Sequence, residues 1–180
     1  MDNDLSVGEA LSAFRKANGV DCDASPTWTC DVGPLRLRLP NFRWRREAIP
    51  LHDLHHILTG YPCSMRGEFQ MAAWEFAAGR FPHPAATLFC LPLVTAGMLW
   101  SPSSMWAAFR SGRRARSLYR FEVTETFLRS PLRSLRADLP LPAGPNARPG
   151  DGIAFCFLVA QASLPVLAPA VAAAVVALAF

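Results

Sequence analysis

Hydrophobic and polar positions recur along this chain with two different periods, and the period changes wherever turn residues fall. Leu5, Val7, Leu11 and Phe14, with polar residues between them, fit a short amphipathic helix that Asn18 and Gly19 end. From Thr27 to Leu39 the alternation is strand-like on both sides of Gly33-Pro34, which predicts either a small hairpin or an extended linker. Leu35, Leu37 and Leu39 alternate there with Arg36 and Arg38, so one face is apolar and the other basic. Glu47 to Thr59 reads as a helix that Gly60 stops, and Pro62 disfavours re-entry into the same helix. The chain should reverse at that point. A second helical pattern runs from Met65 to Ala78, with Met71, Trp74 and Phe76 as apolar positions and Gly79 beyond its end.

Downstream the pattern turns more apolar. The unbroken run Ala85 to Trp100 is 16 residues long, under the roughly 20 that cross a bilayer. It predicts a buried or shallowly inserted helix lining an apolar cavity, with a proline-kinked transmembrane helix as the alternative. Leu118 to Leu139 repeats leucine and phenylalanine around arginines with a break at Pro131, as one or two amphipathic helices do. Leu139 to Gly152 is rich in proline and glycine, a linker. Ile153 to Phe180 is then uncharged for 28 residues, long enough to span. The fold class expected is mostly α: a bundle-like body over 1–140, a linker over 141–152 and a membrane anchor over 153–180.

Composition changes the picture in one respect. At 180 residues the chain supports a single domain, yet 51% of it is apolar, more than an ordinary core of that size uses. Arginine supplies 17 of the 18 basic residues, the net charge is +4, and nine arginines face three acids between Arg110 and Arg148. Basic and apolar together point to an anionic membrane surface, with the body on the cytoplasmic face of the inner membrane. Nucleic acid is not expected as a partner, because the arginines lie between apolar segments and no nucleic-acid motif is present. Five widely spaced cysteines without a CxxC pair argue against a disulfide framework or a thiolate zinc site. The acidic start MDNDLSVGEA has no apolar core of a signal peptide.

The candidate chemistry is concentrated in Leu51 to Glu68, LHDLHHILTGYPCSMRGE, which holds three of the four histidines and two carboxylates. On a helix His52 and His56 stack on one face, four residues apart, and Asp53 is adjacent. The reversal at Gly60 would carry Glu68, in the first turn of the next helix, back toward them. His52, Asp53, His56 and Glu68 are therefore candidate ligands of one divalent ion, with nitrogen and oxygen donors suited to zinc or iron. Cys63, in the turn, reads as a small packing residue. Arg43, Arg45 and Arg46 form either a solvated face or a holder for an anionic group.

These residues resemble a known family. HDLHHILTGY followed by GE is similar to the HDxxH motif, eleven residues and a glutamate of the coenzyme Q biosynthesis protein 4 family, with all four motif positions at the right spacing. The likeness extends more loosely to Trp74-Glu75 and to GRRARSLY at Gly112 to Tyr119, and it fades before Asn41 and after about Leu141. The short chain and its uncharged tail depart from the typical member, as in a divergent bacterial-type branch. The resemblance implies replacement of the ring carboxyl of a polyprenylated aromatic precursor by a hydroxyl, with Asp53 or Glu68 as base. It also implies the organisation of other quinone-biosynthesis proteins, and a homodimer is expected.

Rival readings differ in what they need. Membrane di-iron hydroxylases use about eight histidines over several boxes, and this chain has four. A phosphohydrolase with an HD pair wants a histidine upstream of His52, and none precedes it. A non-enzymatic lipid-binding scaffold needs no metal, so alanine at the four motif positions separates it from a catalyst.

Overall fold

A computed structural model describes residues 4–19, 25–32, 35–79, 81, 83–138 and 147–179. The Gly33-Pro34 turn, residues 139–146 of the expected linker, Cys22 and Phe180 lie outside the described residues. The protein is mostly helical with one small antiparallel sheet, as its hydrophobic pattern predicts.

The first helix, α1 (Val7–Asn18), begins at a reciprocal cap. Ser6 Oγ accepts from the Glu9 amide at 3.2 Å, and the Glu9 carboxylate accepts from the Ser6 amide at 2.8 Å. Strands β1 (Thr27–Val32) and β2 (Leu35–Pro40) pair antiparallel with Trp28 opposite Leu39, so the hairpin reading holds over the linker reading. Leu37 and Leu39 are half-buried while Arg36 and Arg38 are exposed, the two faces that the alternation calls for.

Helix α2 (Arg43–Thr59) starts four residues before the expected Glu47. The added turn is held by the Arg43–Glu47 ion pair at 2.7 Å and by stacking of Phe42 on Trp44. It ends at Gly60, whose φ of +77° only glycine adopts without strain and whose amide donates to the His56 carbonyl. Helix α3 (Met65–Ala78) has the limits its pattern predicts, because Ser64 Oγ accepts from the Gly67 amide at its start and Gly79 stands past its end.

Helices α4 (Pro84–Trp100) and α5 (Pro102–Gly112) meet at Ser101, each opening on a proline whose missing amide costs nothing there. The apolar pattern gives no sign of that break beyond Pro102 itself. A 3-10 turn (Leu118–Arg120), α6 (Glu125–Arg129) and α7 (Leu132–Asp138) then follow, with the expected interruption at Pro131. Helix α8 (Asp151–Ala179) closes the chain.

Two apolar clusters hold these elements. One joins α3, α4, α5 and the first half of α8 through Met71, Trp74, Val94, Met105, Leu158 and Ala162. The other joins α1, α2, the 3-10 turn and α7 through Val7, Leu54, Leu118 and Leu132. Each fully buried leucine contributes about 2 kcal/mol by transfer from water. Between the clusters α2 lies beside α3, with the histidines of one facing the carboxylates of the other.

The C-terminal anchor requires a correction. Ile153–Phe180 is helical as far as it is described, but among the described residues no helix is long and apolar enough to cross a membrane. One side of the first half of α8 packs on protein: Leu158 and Ala162 are buried, and Thr95 of α4 donates its hydroxyl to the Ala162 carbonyl at 2.7 Å, while Ile153, Phe157 and Leu164 stay exposed. An uncharged stretch reads the same whether its neighbour is lipid or another helix. Helix α4, at 17 residues, lines a cavity with Ala86, Phe89, Cys90 and Leu93, but it is buried on one side only, with Leu88, Leu99 and Trp100 exposed.

Candidate metal centre

Three of the four expected ligands converge. One donor atom each from His52, His56 and Glu68 lies within 4.8 Å of the others. The i, i+4 spacing puts both rings on one face of α2, their Nε2 atoms 3.1 Å apart. Glu68 reaches them from the first turn of α3, with Oε2 at 3.2 Å from His52 Nε2 and Oε1 at 3.3 Å from His56 Nε2.

The reversal that delivers Glu68 depends on its neighbour. A Cβ at Gly67 would run into the Pro62 carbonyl oxygen, so only glycine lets α3 start this close to the turn. Gly67→Ala is expected to cost about 1–3 kcal/mol by overpacking and to weaken metal binding by displacing Glu68. Thermal denaturation and a metal titration on the same preparation check both effects.

Asp53 does not join the group. It points instead toward α1, where its Oδ2 accepts from Arg15 Nε at 2.8 Å, and its side chain is 5% exposed. The next residue on a helix is rotated by about 100°, enough to send neighbouring side chains to different partners. Asp53 still lines the cavity described below.

Hydrogen-bond accounting fixes which atoms face inward. His56 Nδ1 lies 2.8 Å from the Tyr61 carbonyl oxygen, so that nitrogen carries a hydrogen and Nε2 presents its lone pair. His52 Nδ1 lies 3.0 Å from Glu75 Oε1 and likewise carries a hydrogen. Two ring nitrogens and a carboxylate thus meet as acceptors, which repel unless a positive charge stands between them. In the metal-free protein a proton supplies it. Burial opposes a charged His52, but the Glu75 and Glu68 carboxylates outweigh burial and hold its pKa well above the usual value. Partial burial of Glu68 is outweighed in turn by hydrogen bonds with His52 and His56, which bring its pKa down to about 2.

Two participants had no role in the sequence reading. His55, buried between Trp74 and Tyr119, accepts the Leu118 amide at Nε2 and donates from Nδ1 to Glu75 Oε1. Burial lowers its pKa, so it is neutral. Glu75 is buried and its pKa is held well below the carboxylate range: burial opposes its charge, and His52 and His55 outweigh it. The available signal was spacing, because Glu75 stands seven residues after Glu68, two turns along the same face. Burial, then the charges of Glu68 and Asp53, push the Cys63 thiol up to about 11, which suits the packing role expected of it.

The group sits on a cavity of about 540 Å³ between α2, α4 and the hairpin. Its walls include Trp28, Trp44, Phe81, Phe89, Cys90 and Tyr119. Arg45 enters it with its guanidinium 3.7 Å from the Trp28 ring centre and one nitrogen 3.0 Å from Asn41 Oδ1. Of the three arginines in the first turn of α2, Arg45 alone is among the residues that line this cavity. No protein-family model, curated protein or solved structure matches the chain.

Proposed function

We propose that this protein binds a divalent metal ion, zinc or iron, through His52, His56 and Glu68, and acts on a polyprenylated aromatic of the quinone-precursor class. The observation that carries the reading is the inward pair of Nε2 lone pairs with Glu68, opening on an aromatic-walled cavity. Two histidines and one carboxylate form the donor set of catalytic zinc sites and of non-haem iron(II) sites alike, and both keep positions open for substrate. Such an ion supplies Lewis-acid polarisation of a substrate oxygen.

The other residues then have separate tasks. The aromatic walls hold a flat ring and exclude water, and Arg45 faces an anionic substituent with a planar, always charged group. Asp53, on the cavity wall and outside the ligand group, moves the proton. In the reaction implied by the resemblance, the ring–carboxyl bond breaks with loss of CO2 and a ring C–O bond forms. With water as oxygen source, two protons and two electrons leave, the electrons to an external acceptor of the quinone or dioxygen class.

A polyprenyl tail needs an apolar exit. Helices α4 and α8 expose Leu88, Leu99, Trp100, Ile153, Phe157 and Leu164, which favours peripheral attachment to the cytoplasmic face of the inner membrane and contact there with other quinone-biosynthesis proteins or a second copy. These exposed side chains equally favour the second reading, a lipid-binding scaffold that needs no metal.

Elemental analysis of the purified protein, with mass spectrometry of lipid that accompanies it, separates the two. About one zinc or iron per chain together with a polyprenylated aromatic is the expected result. Lipid without metal, and no uptake of added zinc or iron(II), would leave the scaffold.

A further inference from the structure

Glu75 receives three hydrogen bonds on one oxygen, and all three donors come from outside its own helix. His52 Nδ1 is 3.0 Å from Oε1, His55 Nδ1 is 2.7 Å away and the Tyr119 hydroxyl 2.8 Å away. We infer that Glu75 is the positioning residue of the metal site: it is no ligand itself, but holds His52 with hydrogen on Nδ1 so that Nε2 is the atom offered to the ion. The inference rests on the metal reading above.

The donor roles leave little freedom. His55 already accepts the Leu118 amide at Nε2, so its Nδ1 must donate, and the oxygen it donates to must accept. The same oxygen faces His52 Nδ1, which makes that nitrogen a donor too. Glu75 itself lies outside the group of donor atoms that fits one ion. A carboxylate that is 1% exposed costs several kcal/mol to bury unless it is fully hydrogen-bonded. An apolar residue would pack α3 against α2 without that cost. The arrangement has a clear chemical use, since a histidine ligand with its second nitrogen bonded to a carboxylate is fixed in ring orientation and is a stronger donor. Without the acceptor, hydrogen can move to Nε2, where it blocks the lone pair. His55 and Tyr119 anchor the carboxylate to α2 and to the 3-10 turn, so its position does not depend on His52.

The test uses the full chain, labelled with nitrogen-15, and cobalt(II) as the probe ion. In the wild-type protein, long-range nitrogen–proton correlation should find His52 protonated at Nδ1 both with and without zinc. Glu75→Gln keeps the volume and one acceptor but loses the charge, so the cobalt dissociation constant should rise about 10–100-fold and the visible absorption band of bound cobalt should change. Far-ultraviolet circular dichroism should stay helical. A Glu75→Gln protein that is only less stable, with cobalt affinity and spectrum unchanged, overturns the inference. So does a wild-type His52 that binds the ion through Nδ1, a result that stands even where the variant does not fold. A wild-type chain that takes up no cobalt overturns the metal reading instead, and the protonation state of His52 Nδ1 still decides whether Glu75 orients that ring.

Discussion

Glu68→Gln is expected to lower the affinity for zinc or iron(II) by a factor above about 100 while the helical fold survives. Tight protein zinc sites bind with about 10–16 kcal/mol, so losing one of three donors removes on the order of 3 kcal/mol, about two decades in the dissociation constant. Gln keeps the length of the side chain, but its amide has no negative charge to offset that of the ion, and its NH2 brings hydrogens toward the Nε2 lone pairs of the two imidazoles. Glu68 is 30% exposed at the cavity edge, so the fold loses little when its charge goes. Calorimetric titration of the variant with zinc measures the first effect. In the producing cell the same change should deplete mature quinone and accumulate a precursor that keeps its ring carboxyl. His52→Ala should do the same, and normal quinone levels in both would leave the scaffold reading.

The site was legible as far as helix periodicity and turn residues reach. Four-residue spacing aligned His52 with His56, and Gly60 and Pro62 told of a reversal that returns Glu68, while the parts of Ser64 and Gly67 in it appear only in the fold. Local rules also delimited α3 and the hairpin, because caps and alternation are read within a few residues. What needed a distant neighbour was not legible. Asp53 sits beside His52 in sequence, and only the docking of α1 reveals that Arg15 waits for it. His55 received no role from sequence, because its partner at Nε2 is the Leu118 amide, 63 residues away. The tail was read as lipid-facing because hydropathy reports aversion to water and is silent on which apolar partner relieves it. In the fold α4 takes that place for Leu158 and Ala162.

Asp53→Asn tests the division of labour that this geometry assigns. Asp53 is buried and ion-paired to Arg15, whose side chain is 24% exposed, so removing the charge leaves a partly buried guanidinium without its counter-ion. Breaking a fully buried pair costs 3–5 kcal/mol, and the partial exposure of Arg15 brings the expected loss to about 2–3 kcal/mol. For a chain of 180 residues that lowers the melting temperature by roughly 5–10 °C. Metal affinity should stay within about threefold of wild type, because none of the three converging donors is touched. Conversion of the carboxylated precursor should nevertheless stop, since the amide cannot accept and release a proton on the cavity wall. The three readouts fail independently. Loss of metal along with stability would make Asp53 a fourth ligand and the three-donor set incomplete. Retained conversion would confine Asp53 to pinning α1 onto α2, and the proton would have to pass through another group lining the cavity.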